Sequence, residues 1–279
     1  MKIEEALQNA IKELKNNKIS APIVKARMLL VNTLNVTKEY LVINSKEEVN
    51  EEAIKKFTEG INKLIKGCPL QYITNHQEFM KLDFYVDESV LIPRADTEIL
   101  VEEVISSCDN EKEYKILDLC TGSGAIGISL ARYIQNSHVT CTDISIKALE
   151  IAKKNAKANN TENIEFIESD MFENIKESFD IIVSNPPYIV KDVIATLDKE
   201  VQNEPYIALD GGEDGLDFYK TIVNNAYVYL QKGGKLFLEI GYDQKEQVMK
   251  LLETSKKYKD IYSKKDLYEN DRIVVATKI

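Results

Sequence analysis

The sequence of 279 residues holds only two histidines and four cysteines. The cysteines are Cys68, Cys108, Cys120 and Cys141, and no two of them form a Cys-x-x-Cys unit. That spacing, with so few histidines, argues against a zinc site and more strongly against a disulfide framework, so reduced, buried thiols are expected. No run of 18 apolar residues exists, and Met1-Lys2-Ile3-Glu4-Glu5 lacks the pattern of a signal peptide. A soluble, cytoplasmic protein without a membrane partner is therefore expected. There is no internal repeat and no low-complexity stretch. None of the 14 tyrosines has a lysine four residues later, so the common Tyr/Lys pair of hydride transfer is missing.

Charge is unevenly spread. Residues 1–75 carry 12 Lys+Arg and 9 acids, a balance of +3; the rest carries 24 and 37, a balance of −13. A strongly acidic main part argues against stable nucleic-acid binding, which needs clustered Lys and Arg. It suits a basic protein partner or a cationic cofactor. Hydrophobic residues make up 44%, enough for a substantial core.

The first 70 residues read as a helical bundle. Ile3, Ala6, Leu7, Ala10, Ile11 and Leu14 recur at helical spacing. Ser20 and Pro22 start a second helix, whose stripe includes Val24, Met28, Leu29, Leu30 and Leu34. Thr37 is expected to cap a short helical turn, and Ser45 with Glu48 to form a capping box. The helix after that box buries Val49, Ile54, Phe57, Ile61, Leu64 and Ile65, and Gly67 ends it. This bundle carries no chemistry of its own, which leaves substrate docking or support of its neighbour. Residues 71–92 read as a hairpin linker, with extended segments at Gln71–Thr74 and Phe84–Val86.

Residues 93–279 form the main domain. Ile92-Pro93-Arg94-Ala95-Asp96-Thr97-Glu98 opens a helix. Strands are expected at 115–119, 138–142, 163–168, 179–184 and 235–240, alternating with helices at 125–135, 146–159, 215–231 and 243–255. Residues 258–264 and 272–277 then pair as two strands with no helix between them. The fold class is α/β: a Rossmann-like, mostly parallel seven-stranded sheet finished by an antiparallel hairpin.

Two loops stand out. After the first strand comes Asp118-Leu119-Cys120-Thr121-Gly122-Ser123-Gly124-Ala125-Ile126-Gly127. Glycines there let the backbone turn tightly and approach a ligand where a helix begins. Asp143 ends the second strand, placed to accept both ribose hydroxyls of a nucleoside. Spacing alone also fits a dinucleotide. The missing Tyr/Lys pair, and a second loop that a nicotinamide cofactor leaves unexplained, favour S-adenosylmethionine. Asp118 suits its cationic end, and Asp170-Met171-Phe172 could bracket its adenine, although Met171 and Phe172 equally fit ordinary core packing. The second loop is Ser184-Asn185-Pro186-Pro187-Tyr188, following the buried strand Phe179–Val183. Two prolines can continue neither a sheet ladder nor a helix. Asn185 and Pro186, each before a proline, are held extended. The outcome is a stiff loop whose acceptors face outward.

With these residues in place, the chain resembles the HemK/PrmC family, the peptide chain release factor glutamine N5-methyltransferases. The resemblance spans nearly the whole length. It rests on residues 92–98, the 118–126 loop, Asp143, Asn185-Pro186-Pro187-Tyr188, Glu204-Pro205, the stretch Ala208–Leu216, Glu239-Ile240-Gly241 and Asp271-Arg272-Ile273-Val274. It implies methyl transfer from S-adenosylmethionine, leaving S-adenosylhomocysteine, to the glutamine of the Gly-Gly-Gln loop in release factors. It implies a cofactor site at Asp118, Cys120, Thr121, Gly122, Ser123, Gly124, Asp143, Asp170, Met171, Phe172 and Asn185. It implies that the Asn185 side-chain oxygen and the Pro186 carbonyl accept the two amide N–H groups while Tyr188 stacks on the amide plane, Pro187 completing the substrate loop. A monomer is expected. A ribosomal-protein glutamine methyltransferase shares the Asn-Pro-Pro-Tyr loop, as do amino-methylating enzymes of DNA and RNA. Cys120 and Asn75 stand where the family often has glycine.

Overall fold

The structure is a computed structural model that describes residues 1–109 and 111–279. It consists of two compact units: Met1–Asn75 with Asp198–Asn203, and His76–Leu197 with Glu204–Ile279.

The first unit packs α1 (Ile3–Asn16), α2 (Pro22–Leu34), α3 (Lys38–Ile43), α4 (Glu51–Ile65) and α5 (Leu70–Thr74). Its core joins Ile3, Ala6, Ala10 and Leu14 of α1 to Ala26, Leu29 and Leu30 of α2 and Phe57, Ile61 and Leu64 of α4. Each large side chain buried this way contributes roughly 1.5–3 kcal/mol. The Thr37 hydroxyl accepts the Tyr40 N–H, as expected of a cap. The helix α10 (Lys199–Gln202) returns to this unit. There the buried Lys25 pairs with Glu200, and the Asn203 amide donates to the Gly67 carbonyl at 3.0 Å.

Three expectations fail here. Ser45 and Glu48 form no capping box; the Asn50 side chain caps α4 by accepting the Ala53 N–H at 2.8 Å. Glu48 is taken up in a β-bridge with Lys2, and the Ser45 carbonyl accepts the Glu4 N–H. Gln71–Thr74 is helical rather than extended, because Pro69 sets a helix start and Leu70 and Tyr72 are buried. Val24 and Met28 face outward, 55% and 38% exposed, while their neighbours Leu29 and Leu30 fill the core.

The second unit begins with a small hairpin, β1 (Gln77–Phe79) and β2 (Leu82–Phe84), then α6 (Glu98–Ser106). The main sheet contains β3 (Tyr114–Leu119), β4 (Ser137–Asp143), β5 (Ile164–Glu168), β6 (Phe179–Ser184), β7 (Leu230–Glu239), β8 (Tyr258–Lys265) and β9 (Asp271–Lys278). Its order is β5-β4-β3-β6-β7-β9-β8. The first five of these strands are parallel; β9 runs antiparallel to both β7 and β8. Helices α7 (Ala125–Tyr133), α8 (Ile146–Ala158), α9 (Lys191–Ile194), α11 (Asp217–Tyr229) and α12 (Lys245–Ser255) complete the unit.

Both faces of the sheet are covered. On one, Ile116, Val139, Cys141, Ile181, Val183 and Phe237 pack under α6 and α7. On the other, Leu117, Leu119, Ile182, Leu236 and Leu238 pack under α11 and α12. Continuous apolar runs are what a sheet buried on both sides requires. The chain winds outward from β3 through β4 to β5, then crosses back to β6. That reversal puts the carboxyl ends of β3 and β6 side by side at a switch point, the place where open sheets of this kind bind ligands. No helix of the described residues is long and apolar enough to cross a membrane.

Candidate active site

The loop after β3 is braced from beneath. Asp118 is fully buried, and its Oδ2 accepts the Thr121 hydroxyl at 2.6 Å and the Gly127 N–H at 2.9 Å. A Cβ on Gly127 would lie 2.2 Å from Cys141 Sγ and 2.9 Å from Asp118 Oδ2, so only glycine fits there. Burial pushes the Asp118 carboxyl up to about 7, against the lowering effect of its hydrogen bonds. Above that turn, Gly122 stands at φ +54°, and a Cβ there would meet nothing within 4 Å. The outer face of the turn is open. Asp143, at the end of β4, accepts the Gly122 N–H on Oδ2 and the Ser145 N–H on Oδ1, each at 2.9 Å. Its carboxyl is also raised, chiefly by burial.

A cavity of about 290 Å³ opens at these strand ends. Of the residues singled out in the sequence, Cys120, Gly122, Asp143, Asp170, Met171, Asn185 and Pro187 line it. The lining does not include Asp118, Thr121, Ser123, Gly124, Phe172, Pro186 or Tyr188. The first four shape the loop and the helix start from behind. Phe172 is 5% exposed and its ring stacks on Tyr229, centroids 5.0 Å apart, so it belongs to the core. The walls fit an adenosyl group: a carboxylate beside an open glycine turn at one side, and the apolar Ile144, Ala148 and Met171 around it.

The Asn-Pro-Pro-Tyr loop enters the same cavity. The Ser184 hydroxyl donates to the Leu119 carbonyl at 2.8 Å, tying the two strand ends together. The Asn185 side-chain nitrogen donates to the Thr97 hydroxyl at 3.3 Å. The loop is backed by glycine. A Cβ on Gly211 would lie 2.7 Å from Tyr188 Cα, and the Gly211 N–H donates to the Ile189 carbonyl at 2.8 Å. Gln244 Nε2 donates to the Tyr188 carbonyl at 2.9 Å. The Tyr188 hydroxyl turns toward Glu239 Oε1 at 3.4 Å, away from the cavity lining. Glu239 is 2% exposed, and burial pushes its carboxyl up to about 7.

Several lining residues were given no role from the sequence, although Pro205 and Ala208 stand in quoted motifs. Ser89, Val90 and Leu91 come from one segment, and Pro205, Ile207 and Ala208 from another. Glu204 joins the two: it accepts the Ile92 N–H at 3.0 Å and pairs with Arg94. The motif residues Arg94 and Glu204 were visible in the sequence, but not that they meet. Thr97 and Glu239 likewise lay in quoted motifs with no role assigned.

Residues 5–74 match the PrmC N-terminal domain family, and residues 95–202 the methyltransferase small domain family. The release factor glutamine methyltransferase of Clostridium acetobutylicum is 41% identical, the alignment covering 100% of this chain and 99% of that protein. That of Moorella thermoacetica is 38% identical, over 99% and 98% of the two chains. A bifunctional methyltransferase of Rickettsia felis is 38% identical, matched over 99% of this chain and 58% of its own length. Among solved structures, a methyltransferase from Pyrococcus furiosus aligns with a TM-score of 0.54 at 18% identity, covering 82% of this chain and 99% of that one. A ribosomal protein L11 methylase from Lactobacillus delbrueckii subsp. bulgaricus gives 0.51 at 17% identity, over 69% and 83%. Likeness at such identities bears on the fold alone.

Proposed function

The chain belongs to the release factor glutamine methyltransferase family, and from that premise we propose that it methylates the side-chain N5 of the glutamine in the Gly-Gly-Gln loop of class I release factors, with S-adenosylmethionine as donor. The observation that carries this reading is that Asn185 and Pro187 line the same cavity as Gly122 and Asp143. A loop suited to a planar nitrogen and a loop suited to a nucleoside thus share one space.

S-adenosylmethionine supplies a methyl group on a cationic sulfur. Asp143 and the Gly122 turn hold the ribose end. A glutamine amide nitrogen presents two N–H donors and no acceptor, because its lone pair is delocalised. The Asn185 Oδ1 accepts one N–H and the Pro186 carbonyl the other, which orients the nitrogen and raises its electron density. No base is needed before attack, since the nitrogen proton becomes acidic only after methyl transfer. The rate gain is then mostly positional, with a ceiling of roughly 7–11 kcal/mol.

The test offers labelled S-adenosylmethionine with release factor, release factor lacking the loop glutamine, ribosomal protein and DNA in parallel. Label on intact release factor alone is the expected result. Label on ribosomal protein alone would move the activity to the related glutamine methyltransferases, and label on DNA alone would overturn the reading.

A further inference from the structure

Resting on that reading, we propose that Gln244 is a positioning residue for methyl transfer, which holds the Asn-Pro-Pro-Tyr loop in place through the Tyr188 carbonyl. The need for such a residue follows from the loop's own composition. Pro186 and Pro187 carry no N–H, so the two central residues can donate to no neighbour. The loop must be fixed at its ends. At the near end the Ser184 hydroxyl donates to the Leu119 carbonyl. At the far end Gln244 Nε2 donates to the Tyr188 carbonyl at 2.9 Å, and the next residue, Ile189, donates its N–H to the Leu209 carbonyl at 3.0 Å.

Gln244 is 6% exposed and stands directly before α12. A polar side chain in that position ordinarily accepts an N–H of the first helical turn; the Gln244 side chain caps nothing there. Its amide turns to other segments instead. Nε2 also donates to the Gly215 carbonyl at 3.1 Å, and Oε1 accepts the Gly241 N–H at 3.0 Å. Both donors of the amide and its acceptor are thus in use. Two glycines make room for it. A Cβ on Gly215 would lie 2.6 Å from the Tyr188 carbonyl oxygen and 2.7 Å from Gln244 Nε2, and one on Gly241 would lie 2.8 Å from Gln244 Oε1. Gly215 also stands at φ +71°. The Ala208–Leu216 and Glu239-Ile240-Gly241 stretches therefore meet at one side chain that belongs to neither. Through it the end of β7 and the turn at Gly215 are locked to the far end of the loop. Asn185 and Pro186 lie between the two anchors, so their oxygens keep a fixed position only while both anchors hold.

The experiment compares wild type with Gln244→Met, which keeps the length and removes every side-chain hydrogen bond, and with Gln244→Glu at pH 8, whose carboxylate can still accept from Gly241 but has no proton for the two carbonyls. Thermal melts establish that each variant folds. In both, kcat for release factor should fall roughly 10- to 100-fold, because a misplacement of about 1 Å can cost that much. The KM for release factor and the affinity for S-adenosylmethionine should change far less. Backbone amide exchange should quicken at Ile189 and Gly211, whose N–H groups tie down the far end of the loop, and stay as in wild type in β4. Wild-type kcat, or unchanged exchange at Ile189, in a folded variant would overturn the inference. So would exchange that rises equally in β4, or the failure of both variants to fold, since either would make Gln244 a support of the whole domain. If only Gln244→Met fails to fold, Gln244→Glu decides by the same readings. If wild type itself fails to label release factor, the functional reading fails, and exchange at Ile189 still decides whether Gln244 holds the loop.

Discussion

The Cys120 sulfur lies 3.9 Å from the Met171 sulfur, and both residues stand in left-handed backbone, at φ +60° and +47°. A side chain pays for that conformation by about 1–2 kcal/mol, a cost glycine avoids. Cys120 lines the cavity, so its strain sits at the candidate site. Cys120→Gly should leave stability unchanged or raise it by up to about 1 kcal/mol after the loss of sulfur packing, with methyl transfer intact. Cys120→Val places a β-branched side chain at positive φ and should lower the melting temperature and the cofactor affinity together. Thermal melts with and without S-adenosylmethionine read both.

Asp143 presents its carboxylate at the open glycine turn, anchored by the Gly122 and Ser145 amides. A charged hydrogen bond is worth roughly 1.5–3 kcal/mol. On the proposed reading Asp143→Ala loses the acceptor for the ribose, and it also frees the turn that shapes the site. Calorimetry should show S-adenosylmethionine binding at least 100-fold weaker. The kcat at saturating cofactor should fall much less. Unaltered affinity would remove Asp143 from the cofactor site.

Parts of the molecule that depend on neighbours in the chain were legible from sequence. The 118–127 loop, Asp143 and the Asn-Pro-Pro-Tyr loop each sit at a strand end, and a doubly wound sheet collects such ends by construction. Asn75 was also readable: it ends α5 at φ +52°, a conformation asparagine tolerates. What was not legible depends on distant pairing. Glu204 reaches Ile92 across 112 residues and also pairs with Arg94, and such contacts bring the segments of Ile207 and Leu91 to one cavity. Phe172 and Met171 look alike in sequence, yet the turn at Met171 sends one to the cavity and the other to Tyr229. Asn155 gave no signal at all. It is fully buried, pairing with both backbone groups of Tyr85 and with the Ser123 carbonyl.

That last contact gives a stability prediction. Asn155→Ala leaves the Tyr85 N–H and two carbonyls without their partner, and one unsatisfied buried group costs about 1–3 kcal/mol. A loss of roughly 2–4 kcal/mol in urea denaturation is expected. A change under about 0.5 kcal/mol would mean that the groups find other partners.

Buried acids make stability depend on pH with a definite sign. Asp118 and Glu239 have carboxyls raised to about 7 from ordinary values of 3.8 and 4.5. Between about pH 4 and pH 7 the folded protein keeps protons that the unfolded chain has released. These two groups therefore favour the folded state most at low pH, and that contribution is lost as pH rises through about 7. Each pKa unit corresponds to about 1.4 kcal/mol, so each of the two groups is worth roughly 3–4 kcal/mol at most. Denaturation at pH 5 and pH 8 should show a smaller loss of stability with rising pH in Glu239→Gln than in wild type. An equal or steeper loss in the variant would contradict the assignment to Glu239.

Asn185→Ala tests the centre of the site. Its nitrogen is tied to Thr97, so the group it offers the substrate is Oδ1. Removing it takes away one of two acceptors for the glutamine amide, while the Pro186 carbonyl stays. A hydrogen bond that strengthens as the nitrogen becomes positive is worth roughly 1.5–3 kcal/mol in the transition state. That corresponds to about a 10- to 150-fold fall in kcat. On the proposed reading the ribose end of the cofactor is held elsewhere, by Asp143 and the Gly122 turn, so its affinity should change by less than the rate. Single-turnover transfer to release factor, with cofactor affinity measured in parallel, separates the two effects. A variant that turned over like wild type would show that the amide is held without Asn185. A variant that lost cofactor affinity in proportion to rate would show that Asn185 serves the cofactor rather than the nitrogen being methylated.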